Sequence, residues 1–209
     1  MEHFFGEMVA WSVELVRTLG YLGIAFLMFI ESSFIPFPSE LVMPQAGYLA
    51  SKGEMNAYVA IFMGILGSWL GAILNYVLAL YVGRPFLLKY GKYFFISQKT
   101  YIKAEDFFRE HGEIGTFTGR LIPGIRQYVS LPAGLAKMKM SHFLFFTGLG
   151  SGIWCAILVY IGFQCGENEA IIKQYSKQAT VAVIVFCVVL VAAYAWFKKT
   201  YFGQKAKPV

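Results

Sequence analysis

The sequence contains few charged residues: 14% of its 209 residues are Asp, Glu, Lys or Arg, against about 25% in ordinary soluble domains. Hydrophobic residues make up 57%, aromatic residues 18%, and the mean hydropathy is +0.57. This composition excludes disordered, collagen-like and disulfide-built classes, and the length fits one domain. It indicates a membrane protein, whose net charge of +6 reflects basic cytoplasmic loops and requires no nucleic acid partner.

The sequence also lacks the residue groupings that carry catalysis or bind metals. Its cysteines, Cys155, Cys165 and Cys187, are odd in number and show no CxxC or Cys/His spacing, so we interpret them as apolar filling. The three histidines are equally scattered. There is no Ser/His/Asp order and no glycine-rich phosphate loop with a lysine. We therefore expect no metal, no cofactor and no enzyme activity.

Three long uncharged runs predict membrane-spanning helices. A run of 29 residues separates Glu54 from Arg84, a run of 27 separates Lys139 from Glu167, and residues 178–197 form a third run of 20. A helix needs about 20 apolar residues to cross a bilayer. The predicted elements are transmembrane helices at residues 55–83, 140–164 and 177–197, followed by a basic tail at residues 198–209.

Two further apolar regions, residues 19–50 and 114–136, are interrupted by charges and prolines. Neither arm of either region is long enough to cross a bilayer alone. Proline lacks an N–H and restricts the preceding residue, so a helix stops or reverses there. We predict two re-entrant helical hairpins; the alternative is two kinked transmembrane helices, which gives five crossings. The predicted turn residues are Pro36, Pro38, Pro123 and Gly124.

Two charged segments predict helices at the membrane surface. Residues 2–18 contain acidic residues and no basic leader, which favours an amphipathic surface helix over a cleaved signal peptide. Residues 98–111 place aromatic side chains among charges, which is typical of a helix lying in the interface. A solvated linker helix is the alternative for the second segment.

The two broken regions contain an internal repeat. Shifting the sequence by 87 positions aligns the dipeptide IP at 35–36 with IP at 122–123, and AG at 46–47 with AG at 133–134. In both copies the region is followed by a long uncharged run. The repeat therefore predicts two structurally related halves.

The basic residues are unevenly distributed over the predicted topology. With two hairpins and three crossings, 12 lysines and arginines share the side of the C-terminus and 4 lie on the other side. Because basic loops are cytoplasmic, the C-terminus is predicted inside and the N-terminus outside. One crossing separates the hairpins, so they enter from opposite faces as an inverted repeat. Broken helices in inverted repeats mark the substrate site of transporters.

The charges that interrupt the broken regions are Glu31, Glu40, Arg120 and Arg126. A charge at the bilayer centre costs about 2.5 to 3.5 kcal/mol, so these side chains should pair, line a wet cavity, or both. Two arginines predict a bidentate phosphate receptor, and two carboxylates in low dielectric predict a proton site. The alternative is salt bridges that only fix the packing. Asn75 and Gln127 are candidate polar residues of the cavity, with an interhelical hydrogen bond as the alternative for Asn75.

These motifs together resemble the DedA family, also called the SNARE-associated or VTT-domain family. The resemblance is carried by ESSFIPFPSE at residues 31–40, PQAG at 44–47, GRLIPGIR at 119–126 and AG at 133–134. It implies a multi-pass protein of the bacterial inner (plasma) membrane that has two opposed re-entrant hairpins and moves lipids across the bilayer. Family members depend on an acidic pair and an arginine pair, which fall here on Glu31 and Glu40, and on Arg120 and Arg126.

The resemblance implies a flippase for a phosphate-bearing lipid. Undecaprenyl phosphate, a cell-wall carrier, is expected first because a monoester offers more charge to two arginines than a zwitterionic diester does. Phosphatidylethanolamine is the second expectation, and an assembly protein without transport is the third. Arg120 and Arg126 would bind the headgroup, while Glu31 and Glu40 would respond to protons and pair with or release the arginines. Glycine-rich helix faces would allow a homodimer.

The topology predicts how cysteines on either side of the first long helix react. Gly53→Cys should be labelled by a membrane-impermeant thiol reagent from outside, and Gly91→Cys from the cytoplasmic side. The unsubstituted chain, with its three natural cysteines, gives the background labelling. Labelling of both positions from the same side would overturn the predicted arrangement.

Overall fold

The structure is built from helices. The computed structural model describes residues 11, 14–33, 39–83, 98–122, 124–166 and 168–202, and no strand occurs among them. The all-α prediction is confirmed for this part of the chain. The helices are α1 (Tyr21–Ser32), α2 (Ser39–Ser51), α3 (Ala57–Leu78), α4 (Gln98–Leu121), α5 (Ser130–Leu135), α6 (Met140–Cys165) and α7 (Glu169–Phe202). A π-helical turn, Ala79–Gly83, extends α3.

Three of these helices contain stretches that are long and apolar enough to cross a membrane. The stretches are Ala57–Gly83, Met140–Cys165 and Gln174–Trp196. At 1.5 Å per residue, each can span a hydrocarbon core of about 30 Å. The three long helices predicted from the uncharged runs are therefore present. They expose large apolar side chains, such as Leu70, Phe163 and Val188, as a surface that faces lipid would.

Helices α1 and α2 form a pair in which the chain turns back on itself. With 12 and 13 residues, neither helix is long enough to cross a bilayer. The end of α2 lies near the start of α1, where Val16, Tyr48 and Leu49 share one apolar cluster. There the Tyr21 hydroxyl accepts a hydrogen bond of 2.7 Å from the backbone N–H of Asn56, just beyond α2.

Helices α4 and α5 form a second pair. Helix α4 bends at His111, whose φ of −131° and ψ of 22° depart from helical values, between the predicted surface helix at residues 98–111 and the broken region at residues 114–136. The chain reverses after α4, with Gly124 at a φ of 81°, and α5 then runs back along α4. As a result, Thr116 and Met138 come within 3.6 Å of each other.

The long helices α3 and α6 cross in opposite directions. Gly64 of α3 faces Cys155 of α6. Further along α3, the indole N–H of Trp69 donates a 2.8 Å hydrogen bond to the carbonyl of Leu144, nearer the start of α6. Contacts therefore advance along α3 as they recede along α6, and the two helices are antiparallel.

The first helix of each pair lies alongside one of the long helices and runs in the same direction as that helix. Helix α1 is parallel to α3, and α4 is parallel to α6. The contacts that define these directions are Gly67 with Ala25, Gly71 with Phe29, Glu113 with His142, and Gly150 with Arg120. Because α3 and α6 are antiparallel, the two pairs point in opposite directions.

The second helix of each pair packs against the long helix of the other half, and we call these contacts the exchanged contacts. Gly47 of α2 lies against the carbonyl of Val159 in α6, and Gly134 of α5 lies against the carbonyl of Tyr76 in α3. A Cβ at either glycine would overlap the facing carbonyl oxygen. Gly47 and Gly134 are also the two glycines aligned by the 87-residue shift. The aligned dipeptides therefore make equivalent contacts in the two halves.

Several predicted segments lie wholly or partly outside the described residues. Residues 14–19 are helical, but most of the predicted surface helix at residues 2–18 is not described. The same holds for residues 203–209 of the predicted basic tail, whereas α7 includes residues 198–202.

Helix α7 lies along the outer side of α4, where the ring of Tyr194 meets the ring of His111 at 5.7 Å.

Because a carbonyl oxygen faces each glycine in the exchanged contacts, we predict that Gly47 and Gly134 tolerate no side chain. Gly47→Ala and Gly134→Ala should each lower the thermal unfolding temperature of the purified chain by several degrees. Overpacking costs about 1 to 3 kcal/mol, and 1 kcal/mol shifts the midpoint by about 2 to 4 °C at this size. Gly152→Ala is the matched control, since Gly152 faces only the flexible end of Ile65 and alanine favours helix. Equal melting temperatures in all three variants would contradict the packing argument.

Candidate functional site

An ion-pair cluster lies where the two helix pairs meet, between α3 and α6. We call the end of α1 with the start of α2 the first tip, and residues 120–122 with 124–130 the second tip. Glu31 and Glu40 belong to the first tip, and Arg126 belongs to the second. Nη2 of Arg126 contacts Oε1 of Glu31 directly and lies 3.7 Å from Oε2 of Glu40. The acidic pair named from the sequence therefore surrounds one of the two arginines.

Burial differs among these three side chains. Glu31 is 4% exposed, Arg126 is 12% exposed and Glu40 is 27% exposed. The contact between Glu31 and Arg126 is therefore shielded from solvent, where a charge pair is stronger than at a surface. Glu40 lies at the open edge of the cluster.

Arg120 lies in the same region in different surroundings. It is 2% exposed, and its Nη2 donates a 2.7 Å hydrogen bond to the hydroxyl of Ser130. No carboxylate of the described side chains lies within 4.0 Å of it, and its Nε has no hydrogen-bond partner. Glu31 and Arg126 still act on it electrostatically. The two arginines named as one pair are therefore not equivalent: only Arg126 has a counter-ion in contact.

Asn75 of α3 connects the two tips. Its side-chain amide donates hydrogen bonds to the carbonyl of Ser32 at 3.1 Å and to the carbonyl of Gln127 at 3.2 Å. Both carbonyls lie where a helix ends or the chain turns, so their usual helical partners are missing. The structure gives Asn75 the interhelical hydrogen bond that was its alternative. Gln127 contributes its backbone to this contact.

Trp154 of α6, which was not among the residues predicted from the sequence, makes a corresponding contact. Its indole N–H donates a 3.2 Å hydrogen bond to the hydroxyl of Ser39 in the first tip. The same ring lies 5.7 Å from the guanidinium carbon of Arg126 in the second tip, within range of a cation–π interaction. A signal was available: Trp154 stands in the middle of an uncharged run, whereas membrane tryptophans concentrate at the interfaces.

The predicted turn residues are only partly described. Gly124 has a φ of 81°, in the left-handed region that glycine adopts without strain. Pro36, Pro38 and Pro123 lie outside the described residues.

Among the described residues, no group of three or more His, Cys, Asp or Glu side chains converges as a metal site.

Comparison with known proteins identifies the family. The family model described as the VTT domain matches residues 37–164. The chain belongs to the DedA family of VTT-domain membrane proteins. The resemblance drawn from the sequence motifs is thereby confirmed. The match to the VTT-domain model includes Glu40, Arg120 and Arg126 and begins at residue 37, shortly after Glu31.

Relatives of similar length cover most of the chain. The uncharacterized membrane protein YkoX of Bacillus subtilis is 35% identical over 95% of this chain and 90% of its own length. Undecaprenyl phosphate transporter A of the same organism is 33% identical over 95% and 96%, respectively. An alkaline phosphatase-like protein of Lactococcus lactis subsp. lactis is 33% identical over 93% and 94%. No solved structure matches the chain.

A double-mutant cycle should measure coupling between Glu31 and Arg126. Arg126→Gln leaves two carboxylates without their partner and should destabilise the chain by about 3 to 5 kcal/mol. Glu31→Gln should cost less, because Glu40 still faces Arg126. The combined substitution should cost less than the sum of the two, since it removes both charges of the direct contact.

The readout for this cycle is thermal unfolding of the purified chain in a mild detergent. Arg109→Gln is the control for loss of an arginine, because Arg109 is 69% exposed and pairs with Asp106 at the surface. Its substitution should have little effect, as for most surface ion pairs. Strictly additive effects of Glu31→Gln and Arg126→Gln would show that the two side chains do not interact.

Proposed function

We propose that this DedA-family protein is a flippase that moves a phosphate-bearing lipid across the membrane. The observation that carries the proposal is a buried charge cluster, with Arg120 lacking a carboxylate partner, at the meeting point of two oppositely directed helix pairs. Guanidinium groups bind phosphate with paired N–H donors. One relative is named undecaprenyl phosphate transporter A, which supports the same class of substrate.

We infer that both helix pairs are re-entrant hairpins that enter from opposite faces and form an inverted repeat. Three observations support this: the short lengths of α1 and α2, the antiparallel course of α3 and α6, and the exchanged contacts of Gly47 and Gly134. In such an arrangement the tips meet near the bilayer midplane, where broken-helix transporters bind their substrates. The lipid headgroup would cross at the tips while its tail remains in the hydrocarbon.

The proposed substrate is undecaprenyl phosphate in the bacterial plasma membrane, with the C-terminus of the protein in the cytoplasm. A phosphate monoester brings more negative charge than a zwitterionic headgroup, and Arg120 and Arg126 are the cations that would receive it. Phosphatidylethanolamine, or phospholipid in general, is the second candidate, because a phosphodiester also presents acceptor oxygens to a guanidinium.

Proton coupling follows from the competition for Arg126. Glu31 and Glu40 occupy the positions around Arg126 that a phosphate would take. Protonation of a carboxylate removes its charge and weakens its hold on the guanidinium. A proton that binds at the first tip would therefore free Arg126 for the headgroup, and its release would return Arg126 to Glu31.

Two alternatives predict different products. The name of the Lactococcus relative suggests phosphatase chemistry, which would release inorganic phosphate from the lipid. A membrane assembly protein would move no lipid and would copurify with a defined partner. Transport is preferred to hydrolysis because the described residues place two arginines and two carboxylates together, without the clustered metal ligands of metal-assisted hydrolysis.

Reconstitution of the purified chain in liposomes tests the proposed function. Fluorescent undecaprenyl phosphate should cross faster than in protein-free liposomes, and Arg120→Gln and Arg126→Gln should each slow it at least about tenfold, since charge-assisted hydrogen bonds are lost. Arg109→Gln should behave like the natural chain. Labelled phosphatidylethanolamine is assayed in parallel, together with release of inorganic phosphate.

The outcomes separate the candidates. Normal translocation of every lipid by Arg120→Gln and Arg126→Gln would eliminate the phosphate-receptor proposal. Release of inorganic phosphate without translocation would favour the phosphatase alternative, and no activity of the natural chain on any lipid would favour the assembly alternative. If translocation ignores both a pH gradient and Glu31→Gln, the acidic pair has no part in the mechanism.

A further inference from the structure

We propose that the two arginines act in sequence: Arg120 receives the phosphate first, and Arg126 joins only after it leaves Glu31. This inference rests on the proposed function and deepens it by assigning different roles to two side chains that the family motif presents as a pair. Its basis is the difference in their surroundings, which is visible in the contacts of each guanidinium.

Arg120 has unused capacity for an anion. A guanidinium carries five N–H donors, and in Arg120 the Nη2 group donates to Ser130 while Nε has no partner. With 2% exposure, water contributes little to its solvation. A buried cation with only a neutral hydrogen-bond partner in contact is energetically unfavourable, and a bound phosphate would relieve that cost.

Ser130 completes the proposed receptor. Its oxygen accepts the hydrogen bond from Arg120, so its own O–H remains available to donate. A phosphate oxygen placed between Nε of Arg120 and this hydroxyl would accept from both. Ser130 is fully buried, and its position is fixed at the start of α5. The receptor therefore consists of side chains held by the packing of α4 against α5.

Arg126 is occupied in the same structure. Its Nη2 contacts Glu31 and faces Glu40, and the ring of Trp154 covers its guanidinium. A phosphate that arrives in this state meets two carboxylates beside Arg126, which repel it. Arg120 presents no carboxylate of the described side chains within 4.0 Å. Of the two arginines, Arg120 is therefore the one that offers an anion donors not already held by a carboxylate in contact.

The proposal predicts that binding and translocation depend on different residues. Binding is measured as the rise in unfolding temperature of the full chain in a neutral detergent on addition of dodecyl phosphate. Arg120→Gln should weaken the apparent affinity at least about tenfold. The double variant Glu31→Gln/Arg126→Gln, which removes the ion pair without leaving either of its charges, should keep the affinity within about threefold of the natural chain.

The double variant should nevertheless lose translocation in liposomes, because it lacks the second arginine. Arg109→Gln is the control in both measurements. If Arg120→Gln does not fold, Arg120→Lys serves instead: it keeps the charge but loses the planar fork, so dodecyl phosphate should again bind more weakly. Equal losses of binding in the Arg120 variant and the double variant would overturn the sequential assignment, as would unchanged binding in the Arg120 variant.

Inorganic phosphate distinguishes the source of the anion. A lipid site should respond to inorganic phosphate far less than to dodecyl phosphate at the same concentration, because the alkyl chain adds apolar burial. Equal responses that depend on Arg120 would support Arg120 as the anion receptor but identify free phosphate as its ligand, against the proposed lipid transport. Binding through Arg120 in a chain that translocates no lipid would likewise separate the two proposals.

Discussion

The contact between Glu31 and Arg126 is the interaction on which the arrangement of this protein depends. Each side chain is nearly buried, and each belongs to a different half of the chain. A single buried charge without a partner is costly, and the meeting of the two tips gives each of these charges its partner. They meet because α3 and α6 are antiparallel and each directs one helix pair toward the centre. The topology thus satisfies an electrostatic requirement.

The two long helices stabilise this meeting point in similar ways. Asn75 of α3 donates to the backbone of both tips, and Trp154 of α6 contacts Ser39 in one tip and Arg126 in the other. Neither side chain carries a charge, so each can hold the tips without competing for the ion pair. The exchanged glycine contacts join each half to the long helix of the other. Backbone packing therefore provides the frame, and polar side chains set the position of the tips within it.

The sequence could predict which long helices exist and which charges interrupt apolar segments, since both depend on local composition. Uncharged runs reveal long helices, and Glu31 and Arg120 stand out because they interrupt apolar segments. Which arginine pairs with the acids could not be predicted, because Arg120 and Arg126 lie three residues on either side of Pro123 and their partners are distant in sequence. Trp154 was missed for a related reason: its position in the middle of an uncharged run is unusual for a tryptophan, but that position does not reveal which distant side chains the ring contacts.

The unequal surroundings of the arginines bear on how an anion can be both attracted and released. Two unopposed guanidiniums would bind a phosphate strongly, and a transporter must also let its substrate leave on the other side. Under the proposed function, Glu31 and Glu40 would compete with the phosphate for Arg126, so the complete two-arginine receptor would exist only while the carboxylates are displaced or protonated. Apolar residues could replace a buried ion pair at little cost to stability. Under the proposed function, the value of retaining the Glu31–Arg126 pair therefore lies in its ability to exchange partners.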